Sequence, residues 1–189
     1  MYYDFNESPK LEMIDIRMVE QDLSNIYGQQ LANFLSDKFD IFCNEKESLK
    51  SWIRGYAQFL DDKELTFFFN FGGLVLACFE LPYFKMKHIE DINEDAINKF
   101  LSDCNKSKLH IKAQLKFAKS QGEDVHVVFN RMDSRQPNIL IYLAEYIFLT
   151  PFNDMMTNKN NQLDIIIYLH FIINVLNDFY FDKNNGGAG

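Results

Sequence analysis

The pattern of apolar and polar positions divides the chain into stretches of two kinds, and the most apolar lies near its centre. Leu65, Phe67, Phe69 and Phe71 alternate with Thr66, Phe68 and Asn70, and after Gly72-Gly73 a second run, Leu74 to Leu81, is apolar on both faces. A glycine pair between aromatic and β-branched runs can take the positive φ angles of a tight primed turn, so the pattern predicts a β-hairpin over 65–81. A ribbon that is apolar on both sides has to be covered twice, by helices on one face and by further strands, a partner chain or a ligand on the other.

Elsewhere the period is mostly that of a helix. Leu23, Ile26, Tyr27, Leu31, Phe34 and Leu35 recur every three or four residues and predict one amphipathic helix between Glu20 and Phe42, with Gly28 inside it. Leu49, Trp52, Ile53 and Tyr56 predict a short second helix, and Asp61-Asp62-Lys63 leads from there into the hairpin. Asn93 is a suitable N-cap for a third, which carries Ala96, Ile97, Phe100, Leu101 and Cys104 on one side. A long C-terminal helix is expected from Leu163 to Tyr180.

Strict alternation returns from Leu109 to Phe117, where His110, Lys112, Gln114 and Lys116 make a wet face, and again from Val125 to Asn130; both predict strands. Two stretches fit either period. Leu11 to Val19 alternates like a strand but is short, and Ile139 to Leu149 is assigned to a strand on its β-branched and aromatic richness and the Thr150-Pro151 stop. The expected fold is therefore α+β, an antiparallel sheet of the hairpin plus two or three further strands flanked by helices. Residues 1–45 would form a partly helical N-terminal extension, 46–181 the α+β domain and 182–189 a disordered tail.

Composition narrows the function classes. With 189 residues, 47% hydrophobic and nineteen Phe, the chain can bury a core without disulfides, and Cys43, Cys78 and Cys104 fit reduced, buried thiols. Met1 to Glu7 lacks the basic-then-apolar order of a secretory signal, and no apolar run approaches the ~20 residues of a membrane span, so a cytoplasmic protein without membrane contact is expected. A net charge of −8 disfavours nucleic acid, and Lys99, Lys106, Lys108, Lys112, Lys116 and Lys119 read as a solvated sheet face.

Candidate chemistry is sparse. Metal ligands must converge within one coordination sphere, yet His88, His110, His126 and His170 are scattered, so neither metal nor cofactor is expected. The chain has no Gly-x-Ser-x-Gly and no phosphate loop, and Gly72-Gly73 precedes a predicted strand instead of a helix N-terminus. Glu145 stands out as a lone carboxylate in an apolar run, where burial demands a partner; structural pairing, with a lysine of the neighbouring strand, is the preferred reading. Phe67, Phe68, Phe69 and Phe79 read as core or dimer interface in preference to a ligand box.

The order helix, hairpin, helix, antiparallel strands, helix over about Leu49 to Phe181 resembles the YbjN-like and type III secretion chaperone-like group of bacterial domains. The matching stretches are Phe67-Phe68-Phe69-Asn70-Phe71-Gly72-Gly73, the passage Ala96 to Lys106, and Leu143-Ala144-Glu145-Tyr146-Ile147-Phe148-Leu149 before the last helix. The resemblance implies a non-enzymatic protein-binding module, chaperone-like or regulatory, that holds another protein or itself as a homodimer. Phe67, Phe68, Phe69, Phe79 and Glu145 would form its interaction surface. The alternative is a small-molecule-binding or enzymatic domain whose pocket between sheet and helices gathers Glu145, His110 and Tyr142.

Overall fold

The computed structural model describes residues 10–80, 94–123, 129, 134–149 and 159–181. Its helices are α1 (Met13–Tyr27), a single 3-10 turn (Gly28–Gln30), α2 (Leu31–Glu45), α3 (Glu47–Ala57), α4 (Asp62–Phe79), α5 (Glu94–Ser120), α6 (Pro137–Leu149) and α7 (Lys159–Phe181). Among the described residues there is no strand. The expected α+β fold with an antiparallel sheet is thereby corrected to an all-helical bundle.

The central correction is the hairpin, which is the single helix α4. Asp61 caps it: its Oδ1 accepts from the backbone N–H groups of Lys63 and Glu64, both at 2.9 Å, while Glu64 Oε2 accepts from the Asp61 N–H at 3.1 Å. This reciprocal capping box satisfies helix donors that have no intrahelical acceptor. From Phe71 to Phe79 every residue is buried, and a helix apolar all round shows neither a 3.6 nor a 2.0 period.

Gly72-Gly73 is a helix crossing and not a turn. A methyl on Gly73 would lie 2.6 Å from the Leu35 carbonyl carbon and 2.8 Å from its Cα, and one on Gly72 would lie 2.5–2.6 Å from three carbons of the Phe39 ring. Only glycine lets the α2 and α4 backbones come this close. Phe39 then meets Phe68 and Phe69 edge-on, with centroids 5.5 and 5.4 Å apart.

The remaining strands are corrected in the same direction. Leu109–Phe117 lies within α5, Ile139–Leu149 forms most of α6, and Met13–Val19 opens α1. Most of Val125–Asn130 lies outside the described residues; Phe129, its one described residue, is helical, buried and 6.1 Å from the Phe148 ring. The single helix expected over Glu20–Phe42 is two helices, because Gly28 takes φ +51° and ends α1. The helices expected at 49–56 and from Leu163 to Tyr180 stand within α3 and α7.

α4 packs between α2 and α7, α5 lies on α3 and α7, α6 on α7 and α1, and α1 also on α2 and α4. Ile16, Val19, Leu35 and Phe39 of α1 and α2 share one core with Ile165, Ile166, Leu169 and Ile173 of α7. Buried polar groups tie the helix ends together. Glu64 Oε2 accepts from Asn161 Nδ2 at 2.7 Å, joining α4 to α7. Gln136 accepts from the Leu11 N–H at 3.0 Å and donates to Asn177 at 2.9 Å, while Asn138 donates to the Leu11 carbonyl at 2.8 Å. Each link removes a desolvation cost that an unpaired group would carry.

Candidate functional site: the outer face of α5

Most polar side chains inside the bundle are occupied in holding helices together. Glu20 of α1 accepts from the hydroxyls of both Tyr142 and Tyr146 on α6, the second at 3.1 Å. Burial and the Glu20 bond push the Tyr142 hydroxyl well above the usual phenol range, and Tyr146 shifts the same way. Burial also raises the Cys43 thiol and pushes Cys78 up to about 12, so both stay protonated and neither is an activated nucleophile. Among the described residues no group of three or more His, Cys, Asp or Glu could hold a metal ion.

The inner face of α5 is built the same way. Ile97, Leu101, Leu115 and Ala118 are buried at helical spacing. Between them Lys112 forms an ion pair with Asp164 of α7, its Nζ 2.7 and 2.9 Å from the two carboxylate oxygens. Lys108 donates to the Tyr168 hydroxyl at 3.1 Å and sits 4.5 Å from that ring's centroid. Tyr168 in turn stacks on Tyr56 of α3 at 3.7 Å and 10°. Two of the six lysines expected on a wet sheet face thus point inward and fasten α5 to α7.

The outer face differs. Leu109 is 76% and Phe117 66% exposed, and Ala113 between them is exposed too. Their i, i+4, i+8 spacing puts all three on one side of the helix, opposite the buried stripe, as a ridge ~12 Å long. Lys99, Lys106, His110 and Lys116 are exposed around it. Against these three exposed lysines the helix exposes Asp95, on a chain of net −8, while Lys108 and Lys112 are turned inward. An apolar ridge among positive charges offers a partner apolar atoms for contact and charges for orientation.

The residues singled out from sequence fall elsewhere. Phe68 and Phe79 are buried, and Phe67 and Phe69 are half-buried against the core, all four on α4. Glu145 is half-buried on α6. The three groups proposed for a pocket are not brought together: Tyr142 gives its hydroxyl to Glu20, while His110 is exposed on α5. Sequence reasoning missed the ridge. Its signal was the spacing of Leu109, Ala113 and Phe117, legible once that stretch is read at a helical period.

No protein-family model, no curated protein and no solved structure matches this chain.

Proposed function

We propose that this chain is a protein-binding module without an enzymatic step, and that its partner docks on the outer face of α5. The observation that carries the reading is the exposed ridge Leu109-Ala113-Phe117 among lysines. Two large apolar side chains on one helix face, away from a core that has apolar residues in plenty, are the anchors a helix-in-groove or helix-on-helix contact uses. The cationic surround selects an acidic partner segment and repels a basic one.

A cytoplasmic setting belongs to the same proposal. It is supported by Cys43 and Cys78, which are free and buried, and by the absence, among the described residues, of any helix long and apolar enough to cross a membrane. Site-specific cross-linking tests the docking face. A photoreactive phenylalanine analogue at position 117 should capture a protein in cells, and Leu109→Glu should abolish the capture. The same analogue at Gln114, on the flank of the helix, should capture far less. Equal labelling at the two positions, or none at 117, would sink the reading.

A further inference from the structure

We infer that His170 is an acid-sensitive latch: its neutral form holds the segment leading into α6 against α7, and protonation releases that segment. His170, Asn174 and Asn177 of α7 lie at i, i+4 and i+7 and so share one face, which meets residues 135–136 just ahead of α6. Two hydrogen-bonded chains cross this contact. In one, the Leu11 N–H donates to Gln136 Oε1 at 3.0 Å and Gln136 Nε2 to Asn177 Oδ1 at 2.9 Å. In the other, the Arg135 N–H donates to Asn174 Oδ1 at 2.9 Å, and Asn174 Nδ2 lies 3.0 Å from His170 Nε2.

The second chain fixes the state of the imidazole. A backbone N–H can only donate, so Asn174 turns its oxygen to Arg135 and its amide nitrogen to His170. Nε2 then has to accept, which makes His170 the neutral ring with its proton on Nδ1. A proton added at Nε2 sets one donor against another. Turning the Asn174 amide over restores a bond to the ring but sets its nitrogen against the Arg135 N–H, so protonation costs one of the two bonds either way. His170 is only 4% exposed, so in the closed latch water does not take the place of the lost partner. α7 packs on α4, α5 and α6, and its rings touch α3. Among the described residues, the charged side chains these elements turn away from solvent are Lys50, Glu64, Glu80, Lys108, Lys112 and Glu145. Glu64, Glu80, Lys108 and Lys112 are bound to Asn161, Lys38, Tyr168 and Asp164, and the Arg135 side chain is exposed. Imidazole is the side-chain type that ordinarily titrates between about pH 5 and 8, and carboxylates and ammonium groups are not. The closed latch excludes the proton and the open one, with the ring in water, takes it up. Closure is therefore complete above about pH 6.5 and weakens as pH falls below it, by at most tenfold per pH unit for one proton.

Nitrogen NMR and amide hydrogen exchange on the full chain test the latch. At about pH 7.5 the His170 ring should show Nδ1 protonated and Nε2 bare. Between about pH 6.5 and 5 the protection factor of the Arg135 amide should fall by up to tenfold per pH unit. That of the Leu11 amide, held by a chain of Gln136 and Asn177 with no titratable side chain, should stay constant. Asn174→Asp puts a carboxylate between the two donors, where it accepts from the Arg135 N–H and from a protonated Nε2 alike, so protection at Arg135 should persist to about pH 5. His170→Gln keeps an acceptor for Asn174 and should flatten the profile as well. A ring protonated at Nε2 at about pH 7.5, a flat wild-type profile, or a fall that Asn174→Asp leaves unchanged overturns the inference. Should His170→Gln fail to fold, the wild-type ring tautomer and the Asn174→Asp profile decide between the two outcomes.

Discussion

The closeness of α2 and α4 can be measured by filling it. A methyl at position 72 would sit 2.5–2.6 Å from three carbons of the Phe39 ring, far inside the ~3.5 Å at which carbon contacts become favourable. Two effects compete. Alanine is better than glycine in a helix interior by ~1 kcal/mol, whereas overpacking a tight core costs ~1–3 kcal/mol. Overpacking wins here because Phe39 is fully buried and held on its other sides by Phe42, Phe68 and Phe69, with centroids 6.0, 5.5 and 5.4 Å away. Gly72→Ala is therefore expected to destabilise the fold by up to ~2 kcal/mol. Phe39→Leu removes the offending ring atoms, and in that background alanine should regain its helical advantage. A double-mutant cycle by denaturant unfolding should then show a coupling of ~1–3 kcal/mol between the two sites. Gly73→Ala should not be rescued, since the methyl meets the Leu35 backbone. Gly55→Ala in α3, where a Cβ meets nothing within 4 Å, should instead gain ~0.5–1 kcal/mol. Additivity of Gly72→Ala and Phe39→Leu to within ~0.5 kcal/mol would refute the crossing, because a glycine in a turn would suffer the same loss whatever stood at position 39.

Three further outcomes follow from the buried polar groups. The Tyr56 hydroxyl is buried with no hydrogen-bond partner among the described residues, so Tyr56→Phe should be neutral or stabilise by up to ~1 kcal/mol in denaturant unfolding; a clear loss would mean that the hydroxyl is satisfied. Asn161→Ala removes the 2.7 Å bond to the buried Glu64 carboxylate and should cost ~1–3 kcal/mol. Asn161→Asp, which sets a second carboxylate against Glu64, should cost more at pH 7, and equal losses for the two variants would contradict the contact. Because Cys78 is pushed from 9.0 up to about 12, the unfolded chain releases that proton first. Above pH 9 the folded form holds more protons, so stability should decline as pH rises from 9 toward 12. Tyr56 and Tyr142, raised from 10.0 by burial, act with the same sign. Unfolding midpoints that stay flat or rise between about pH 8 and 11 would contradict this.

How much of the fold could be read from the residues depends on burial. α3 and the C-terminal helix were legible because each shows a helical period to the reader, Leu49, Trp52, Ile53 and Tyr56 in the first case. α4 and α6 were not, because helices covered on nearly every side have no polar stripe to mark the period, and β-branched or aromatic richness then points the wrong way. One signal against the hairpin was nonetheless present. Asp61 and Glu64 have the spacing of a capping box, directly ahead of the run that opens at Leu65. The close approach at Gly72-Gly73 was not legible, since what a glycine pair is for depends on which residue lies across from it.

The choice of period also decided whether a surface could be seen at all. Read at two, Leu109, Ile111, Ala113, Leu115 and Phe117 fall on a single face, all of them are core, and the lysines between them are a featureless wet side. Read at 3.6, the same five residues separate. Leu115 is buried and Ile111 half-buried, while Leu109, Ala113 and Phe117 stand exposed on the opposite side. The lysines separate with them, Lys108 and Lys112 going inward to Tyr168 and Asp164 and Lys106 and Lys116 staying out. The inward pair lies on the same side of α5 as the buried Ile97, Leu101, Leu115 and Ala118, and the ridge lies opposite. If the ion pair helps to hold that rotation, Lys112→Met, which removes it, should lower cross-linking through position 117 although the substitution touches neither Leu109 nor Phe117. Unchanged cross-linking in that variant would show that the apolar stripe of α5 fixes the rotation alone.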